Sequence, residues 1–416
     1  MEIERQLQVS SNSGQHKEGT SFIKTCFNGL NALAGIGILS MPYAVSQGGW
    51  LSFMLLIIFA MICWYTALLL ERCMNQQPLI KSYPDIGEVA FGYKGRVVIA
   101  SFIYVELFLI AVVLLILEGD NLEKLFPNMN FTIIGLNIGS KSSFVLITAL
   151  IILPTTWLRS LGALAYISVG GVVTSVVLIG CVVWVGEVDG VGFHERGKLV
   201  NLEGLTTAMS LFAFCYCAHA LMPTICNSMN DRKQFSKVLL VCFMASTIIY
   251  GTVAVLGYSM FGDHLKSQIT LNLPTNTIST KLAIYTTVIN PFTKYAIIIT
   301  PIINAIEEKW HLCKRRPISI LIRTAIVVDT YMFCQADHHP KLQLPGSKAF
   351  ASTSKRSMQA SGSGMLFYDH WGKGSNINEV SKSSFPSRWI SLEDNFVSCT
   401  ISTEIPVSIS VSSMKS

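Results

Sequence analysis

Residues 28–50 read NGLNALAGIGILSMPYAVSQGGW, and this stretch decides the class of fold that the chain can adopt. It is long and apolar enough for a membrane-spanning helix, yet Gly35 and Gly37 stand two residues apart and Pro42 follows them. Glycine and proline weaken helical hydrogen bonding, so the pattern predicts a helix that is broken near the middle of a membrane. Irregular backbone is tolerated at that depth only where it is buried in protein or lines a cavity.

A second stretch, residues 212–225, repeats this pattern as FAFCYCAHALMPTI. Met41-Pro42 follows the first break and Met222-Pro223 follows the second. If the two stretches are partners in inverted repeats, their unwound backbone exposes amide groups and helix ends to a zwitterionic solute, as in secondary transporters. The alternative is that the glycines only permit close packing and the prolines only kink. For two matched stretches we favour the binding site.

The composition of the whole chain is typical of a membrane protein. Of its 416 residues 51% are hydrophobic and 13% charged, and the mean hydropathy is +0.49. Because soluble proteins carry about 25% charged residues, a cytosolic enzyme, a disordered chain and a disulfide-stapled secreted domain are all excluded. No GxSxG, HExxH or Walker motif is present, so we expect neither an enzyme nor an ATP-driven pump, and neither a cofactor nor a metal site.

A membrane core about 30 Å thick needs roughly 20 apolar residues for each helix. Eight stretches meet or approach this length, and a ninth, residues 318–328, is too short to span. We expect a cytosolic N-terminal segment over 1–20, a transmembrane domain over 21–328, and a Ser-rich, disordered tail over 329–416. The predicted spans cover residues 21–47, 50–71, 97–118, 143–160, 162–186, 204–226, 236–261 and 281–306.

The distribution of Lys and Arg predicts the orientation of these spans. With the N-terminus in the cytosol, the inner segments carry most of the basic residues, as the positive-inside rule requires. The net charge of +6 then follows from topology, and no nucleic-acid partner needs to be invoked. The loop after the third span, placed outside, carries the candidate glycosylation site Asn130. The inner segment from Tyr83 to Gly92 is predicted to form a short amphipathic helix on the cytosolic face of the membrane.

Three ionisable residues fall inside predicted spans: Glu106 in the third, His219 in the second break and Lys294 in the eighth. Such residues are costly in a membrane and are functional candidates, because burial disfavours their charged form and suits them to proton exchange. The alternatives are a hydrogen bond from Glu106 to a neighbouring helix, a packing role for His219, and a Lys294 that snorkels to the headgroups. Glu118 and Asp120, with Asn121, lie at the outer end of the third span and are expected to form a solvated acidic cap; the alternative is that they attract cations or amino groups at the entry.

Several motifs occur in order over residues 20–328. They are the stretch 28–50, SYPDIGEVAFG at 82–92, LEGDNL at 117–122, PTTWLRSLGALAYIS at 154–168, FAFCYCAHALMPTI at 212–225 and INPFTKYA at 289–296. Together they resemble the amino acid/auxin permease family, and within it most closely the plant vacuolar amino-acid transporters.

The resemblance implies an all-α polytopic membrane protein with a LeuT-like inverted-repeat helix bundle, formed by two five-helix repeats and an eleventh helix. Since the sequence shows eight spans and a partial ninth, a truncated bundle is expected. The resemblance also implies secondary active transport of amino acids, coupled to protons, in the vacuolar membrane. The alternative is a truncated, non-transporting membrane protein with a binding or regulatory role.

The resemblance further implies where the substrate binds. Backbone groups of the first break would hold the carboxylate and amine of an amino acid, and the second break would form the opposite wall, whose small and aromatic residues favour neutral amino acids. Lys294 would replace the cation that lies between spans one and eight in sodium-coupled relatives. The implied substrate-binding residues are Ala34, Gly35, Ile36, Gly37, Ile38, Leu39, Phe214, Cys215, Tyr216 and His219, and the proton-coupling candidates are Glu106, Asn290 and Lys294.

Overall fold

A computed structural model describes residues 19–34, 37–77, 80–126, 131–133, 136–274, 277–310 and 316–338. These ranges are mostly α-helical, with one short antiparallel strand pair, β1 (Phe131–Ile133) and β2 (Leu136–Ile138). The helices are α1 (Phe22–Leu33), α2 (Gly37–Gly48), α3 (Ser52–Gln76), α4 (Tyr83–Leu125), α5 (Ser140–Thr156), α6 (Leu161–Glu187), α7 (Leu205–Tyr216), α8 (Met222–Asn227), α9 (Phe235–Phe261), α10 (Ile278–Lys309) and α11 (Arg316–His338).

Within the described ranges, seven helical segments are long and apolar enough to cross a membrane. The pair α1 and α2 makes an eighth if the two are counted as one span, and their directions differ by 47°. α5, with 17 residues, is a shorter apolar helix at the place of the predicted fourth span. Every one of the eight predicted spans therefore coincides with a helix or a pair of helices.

The ninth helix, α11, differs from the sequence-based expectation. It covers 23 residues instead of a short stub over 318–328, and its first 20 residues meet the criterion for a membrane span. Two of its polar residues are buried against other helices: Thr330 hydrogen-bonds to Tyr295 of α10 at 2.6 Å, and Gln335 donates to the carbonyl of Ser142 in α5 at 3.2 Å. The predicted domain boundary after residue 328 is thus wrong, since it falls inside this helix.

The predicted amphipathic segment after the second span is helical and is joined to the third span in α4. Gly92 interrupts this helix with a φ of 69° and a ψ of −170°, a conformation that only glycine adopts readily. Arg96 reaches back across the interruption to Asp85 at 3.1 Å and to Glu88 at 2.5 Å. The location of the segment on the cytosolic face of the membrane stays a prediction.

The two halves of the first span pack between different neighbours. α1 lies against α6 and α9, whereas α2 lies against α7 and α9. Small residues permit these close contacts, as is usual where lipid supplies no hydrophobic drive for helix association. A Cβ at Gly257 of α9 would come within 2.6 Å of the Pro42 ring, and a Cβ at Gly29 would come within 2.7 Å of the Cys242 sulfur.

A buried ion cluster joins the C-terminal end of α10 to α11 and to the loop between α5 and α6. Glu307 pairs with Arg159 at 3.2 Å and with Arg323 at 3.6 Å, and it also accepts a hydrogen bond from Ser319. Arg323 donates to the backbone carbonyl of Thr156 at 2.8 Å. The cluster fixes the ends of four helices to one another and lies apart from the helix breaks.

Candidate functional site

The first break separates α1 from α2. Ala34 leaves the helix with φ −75° and ψ 78°, and its amide still donates to the Leu30 carbonyl at 2.6 Å. α2 begins at Gly37. Gly35 and Ile36, two of the predicted substrate-binding residues, lie outside the described residues. The break predicted from the glycine spacing is therefore present at the expected place.

The second break has the same local geometry. Cys217, directly after α7, adopts φ −78° and ψ 73°, within a few degrees of Ala34. A short 3₁₀ turn, His219–Leu221, then leads into α8, which carries Pro223 in its first turn. The two broken helices thus share the conformation of the residue at which each one stops, in addition to the Met-Pro pair that each one carries.

Tyr250 of α9 joins the two breaks. Its hydroxyl lies 2.5 Å from the carbonyl oxygen of Leu33, which ends α1, and 3.3 Å from that of Cys215, near the end of α7. Carbonyls at helix ends lose their intrahelical partners, so this hydroxyl supplies a hydrogen bond that the breaks require. A Cβ at Gly37 would lie 2.4 Å from the Cys215 sulfur, so only glycine permits the breaks to approach this closely.

The predicted wall residues divide into two groups. Ala34, Ile38 and Leu39 are buried, and the last two line a small cleft together with Asn290 and Ser175. Asn290 also donates to Ser175 of α6 at 3.5 Å. Residues from the first span, α6 and α10 are therefore brought together on one side of the first break.

Tyr216 and His219 instead face neighbouring helices. The buried Tyr216 donates its hydroxyl to Thr247 of α9 at 3.0 Å. The His219 Nε2 atom lies 2.8 Å from the Thr66 hydroxyl and 3.1 Å from the Cys63 carbonyl, both in α3. Because a carbonyl only accepts, Nε2 carries a proton in this arrangement. In the described structure, His219 anchors the second break to α3.

The ionisable candidates lie on different sides of the second break. Glu106 of α4 is half-buried and lies 3.5 Å from the Cys217 sulfur. Lys294 is buried in α10 and lies near Cys215. Among the described residues, the Lys294 ammonium has neither a carboxylate partner nor a hydrogen bond. Lys294 therefore lies beside the second break without a counter-charge among the described residues.

A buried hydrogen-bond network that sequence reasoning missed holds α1 in place. The Asn31 amide nitrogen donates to the Thr293 carbonyl of α10 at 2.9 Å and to the Ser168 hydroxyl of α6 at 3.3 Å. Thr293 returns a hydrogen bond to the Asn31 side-chain oxygen at 3.2 Å. Ser168 also donates to Asn28 at 2.8 Å. The sequence does contain a signal for this network. Asn28 and Asn31 stand three residues apart in an apolar helix, so they lie on one side of the helix, and that side must face protein.

A family model described as transmembrane amino acid transporter protein matches residues 18–342 of this chain. The chain belongs to this family. It is 48% identical over 318 residues to the amino acid transporter AVT1I of Arabidopsis thaliana, an alignment that covers 76% of this chain and 78% of the relative. It is also 48% identical over 313 residues to AVT1J of the same plant, covering 74% of each chain. As a member of the transmembrane amino acid transporter family, the protein is a multi-pass integral membrane protein.

The fold of this family member is also that of a solved structure. The crystal structure of MhsT in complex with L-phenylalanine superposes with a TM-score of 0.54 at 15% sequence identity, covering 84% of this chain and 89% of MhsT. This likeness confirms the predicted all-α, LeuT-like fold. The predicted glycosylation site at Asn130 lies outside the described residues, as does the predicted tail beyond residue 338.

Proposed function

We propose that this protein is a secondary active transporter of neutral amino acids that uses a proton gradient. The observation that carries the proposal is the pair of matched helix breaks, bridged by one tyrosine hydroxyl, in a chain of the amino acid transporter family. In this mechanism the breaks form a central site that is exposed alternately to the two sides of the membrane.

The substrate is expected to bind through backbone groups of the first break, from Ala34 to Leu39. Amides at the start of α2 attract a carboxylate, and carbonyls at the end of α1 attract an ammonium group. The described side chains nearby, including Ile38, Leu39 and Phe214, are uncharged. These protein side chains carry no charge that could pair with a charged substrate side chain, and this favours neutral amino acids.

Proton coupling is assigned to the ionisable residues beside the breaks. Lys294 is the first candidate, because it is buried near Cys215 and has no carboxylate partner among the described residues. Asn290, four residues earlier on the same helix, positions this region through its bond to Ser175. Glu106 of α4 is the second ionisable candidate, and it contacts Cys217 directly after α7.

We further propose the vacuolar membrane as the location, with the N-terminus in the cytosol. The excess of Lys and Arg in the segments assigned to the inner face supports this orientation. The motifs that resemble those of plant vacuolar amino-acid transporters support the vacuolar location. A fluorescent fusion at the N-terminus that is quenched by a cytosolic but not by a luminal quencher would test both statements.

Uptake into proteoliposomes tests the function. The purified full chain is reconstituted, a pH difference is imposed, and accumulation of radiolabelled L-alanine, L-leucine or L-phenylalanine is measured with and without a protonophore. We expect accumulation that the protonophore abolishes. Binding of these amino acids without any pH-dependent flux would contradict transport and would support the binding or regulatory alternative.

The role of Lys294 is tested in the same assay. Lys294→Met removes the buried charge and keeps the length of the side chain, so we expect pH-driven accumulation to be lost. Lys281→Met, at an exposed position of α10, is the matched control and should accumulate substrate like the wild type. Full pH-driven uptake by Lys294→Met would overturn this assignment.

A further inference from the structure

Glu118, near the outer end of α4, is fully buried. Its exposed fraction is 0%, and neither carboxylate oxygen has a hydrogen-bond partner among the described residues. The expectation that it belongs to a solvated acidic cap is therefore wrong. Its neighbour Gly119 packs against α5 so closely that a Cβ there would lie 2.6 Å from Val145. The packing of α5 on α4 removes this end of the helix from solvent.

No charged side chain in the described part of the chain compensates Glu118. α5 carries a single charged residue, Lys141, and this pairs with Asp120 at 2.6 Å. On α10, Lys281 is exposed and Lys294 lies near Cys215. Glu307 of α10 pairs with Arg323 of α11 at the opposite end of the bundle. Asp329 of α11 is exposed. His219, in the short turn that packs on α4, bonds to α3.

An ionised carboxylate without a partner in such surroundings costs several kcal/mol, whereas a neutral carboxylic acid costs far less. The residues from Val112 to Leu117 that precede it are all buried and apolar. Three other buried polar atoms on α4 and α5 also lack hydrogen-bond partners among the described residues: the Asn121 amide nitrogen in α4 and the Ser140 and Thr148 hydroxyls in α5.

We propose that Glu118 is a proton-binding site of the transport cycle, which holds a proton in the described arrangement and releases it to water when the outer ends of α4 and α5 become hydrated. The adjacent Leu117 lines the same cleft as Ile38, Leu39 and Asn290, so Glu118 directly follows a residue of that cleft in α4. This inference rests on the proposed function and deepens it, because it adds a carboxylic acid outside the substrate wall to the coupling residues.

Transport by Glu118→Gln tests the proposal, because glutamine keeps the shape of the protonated acid and cannot release a proton. With one proton coupled to each substrate, a difference of one pH unit sustains an accumulation ratio of about tenfold. We expect Glu118→Gln to lose this accumulation while it still exchanges labelled for unlabelled L-leucine at equal pH. Asp120→Asn, next but one on the same helix, is the matched control and should accumulate L-leucine like the wild type. Wild-type accumulation by Glu118→Gln would overturn the proposal.

Infrared spectroscopy of the protonated carboxyl group provides a readout that does not depend on transport. At neutral pH we expect Glu118→Gln to lack one carboxylic acid band that the wild type and Asp120→Asn both show. If Glu118→Gln does not fold, the spectrum of the double variant Glu71→Gln/Glu106→Gln decides. Glu307 is paired with Arg159 and Arg323, so Glu118 is then the buried carboxyl group without a counter-charge among the described residues. Absence of a carboxylic acid band from this variant overturns the proposal. If the wild type neither accumulates nor exchanges amino acids, the proposed function fails, while the infrared band still decides the protonation of Glu118.

Discussion

The hydroxyl of Tyr250 lies 2.5 Å from the carbonyl oxygen of Leu33 and also contacts the carbonyl of Cys215 at 3.3 Å. One side chain of α9 therefore serves both places where the helical hydrogen-bond pattern stops. Leu33 and Cys215 belong to spans that are far apart in the chain, so Tyr250 sets the distance between the two halves of the candidate site. Its ring also packs edge-on against Tyr216, with centroids 5.4 Å apart.

Tyr250→Phe should impair transport more than its effect on stability explains. Loss of the hydroxyl leaves buried carbonyls unsatisfied, which costs about 1–3 kcal/mol. Tyr295→Phe is the control, because the Tyr295 hydroxyl is also buried but bonds to Thr330, away from the breaks. Thermal unfolding and L-leucine uptake of both variants check this. Equal loss of uptake by the two variants at equal stability would contradict the bridging role.

Gly171→Ala should disturb the contact between α1 and α10. A Cβ at this position would lie 2.3 Å from the Asn31 side-chain oxygen and 2.5 Å from the Thr293 hydroxyl, so the network must shift. Overpacking of this kind costs about 1–3 kcal/mol. Gly170→Ala is a closely matched control, since its nearest contact is Thr293 at 3.8 Å. We expect a lower melting temperature only for Gly171→Ala, and the prediction fails if the two variants melt together.

Glu307→Gln should destabilise the protein strongly, because it leaves Arg323 buried without a counter-charge. Removing one partner of a buried ion pair costs about 3–5 kcal/mol. The next residue provides the control: Glu308 pairs with Lys81 at 3.1 Å with both side chains more than half exposed, and such a pair contributes about 0–1 kcal/mol. Thermal unfolding in detergent measures both variants. A stable Glu307→Gln would show that the cluster does not hold the helix ends together.

Cys26 of α1 and Cys242 of α9 should form a cross-link under mild oxidation. The Cys242 thiol donates a hydrogen bond to the Cys26 carbonyl oxygen at 3.5 Å, and the two cysteine side chains lie close to each other. With a protease site inserted in the loop 188–204, the fragments should stay joined after treatment with a copper–phenanthroline oxidant and separate on reduction. Cys26→Ser should abolish the cross-link. Fragments that separate without reduction in the oxidised wild type would argue against this contact.

Most of the helical architecture was predictable from local sequence. Apolar runs of membrane length located the spans. The Gly35 and Gly37 pair with Met41-Pro42 located the first break, and the matching Met222-Pro223 pair located the second. These features depend on the composition of one window of the chain, so a hydropathy profile detects them. A hydropathy profile averages over such a window, and this explains why the predicted end of the ninth apolar stretch was too early. Asp329, Thr330 and Gln335 lower the local hydropathy although α11 continues to His338.

Side-chain partners depended on the tertiary structure. Asn31 and Thr293 are 262 residues apart, and Tyr250 and Leu33 are 217 apart, so no local pattern links them. The direction of His219 toward α3 and the burial of Glu118 were likewise set by the helices that pack on them. The free energy of a polar group in a membrane protein depends on which helix faces it, and helix packing alone decides that. Local sequence therefore determined where the chain crosses the membrane and breaks, whereas the packed bundle decided which polar groups are paired and which, such as Glu118, are left alone.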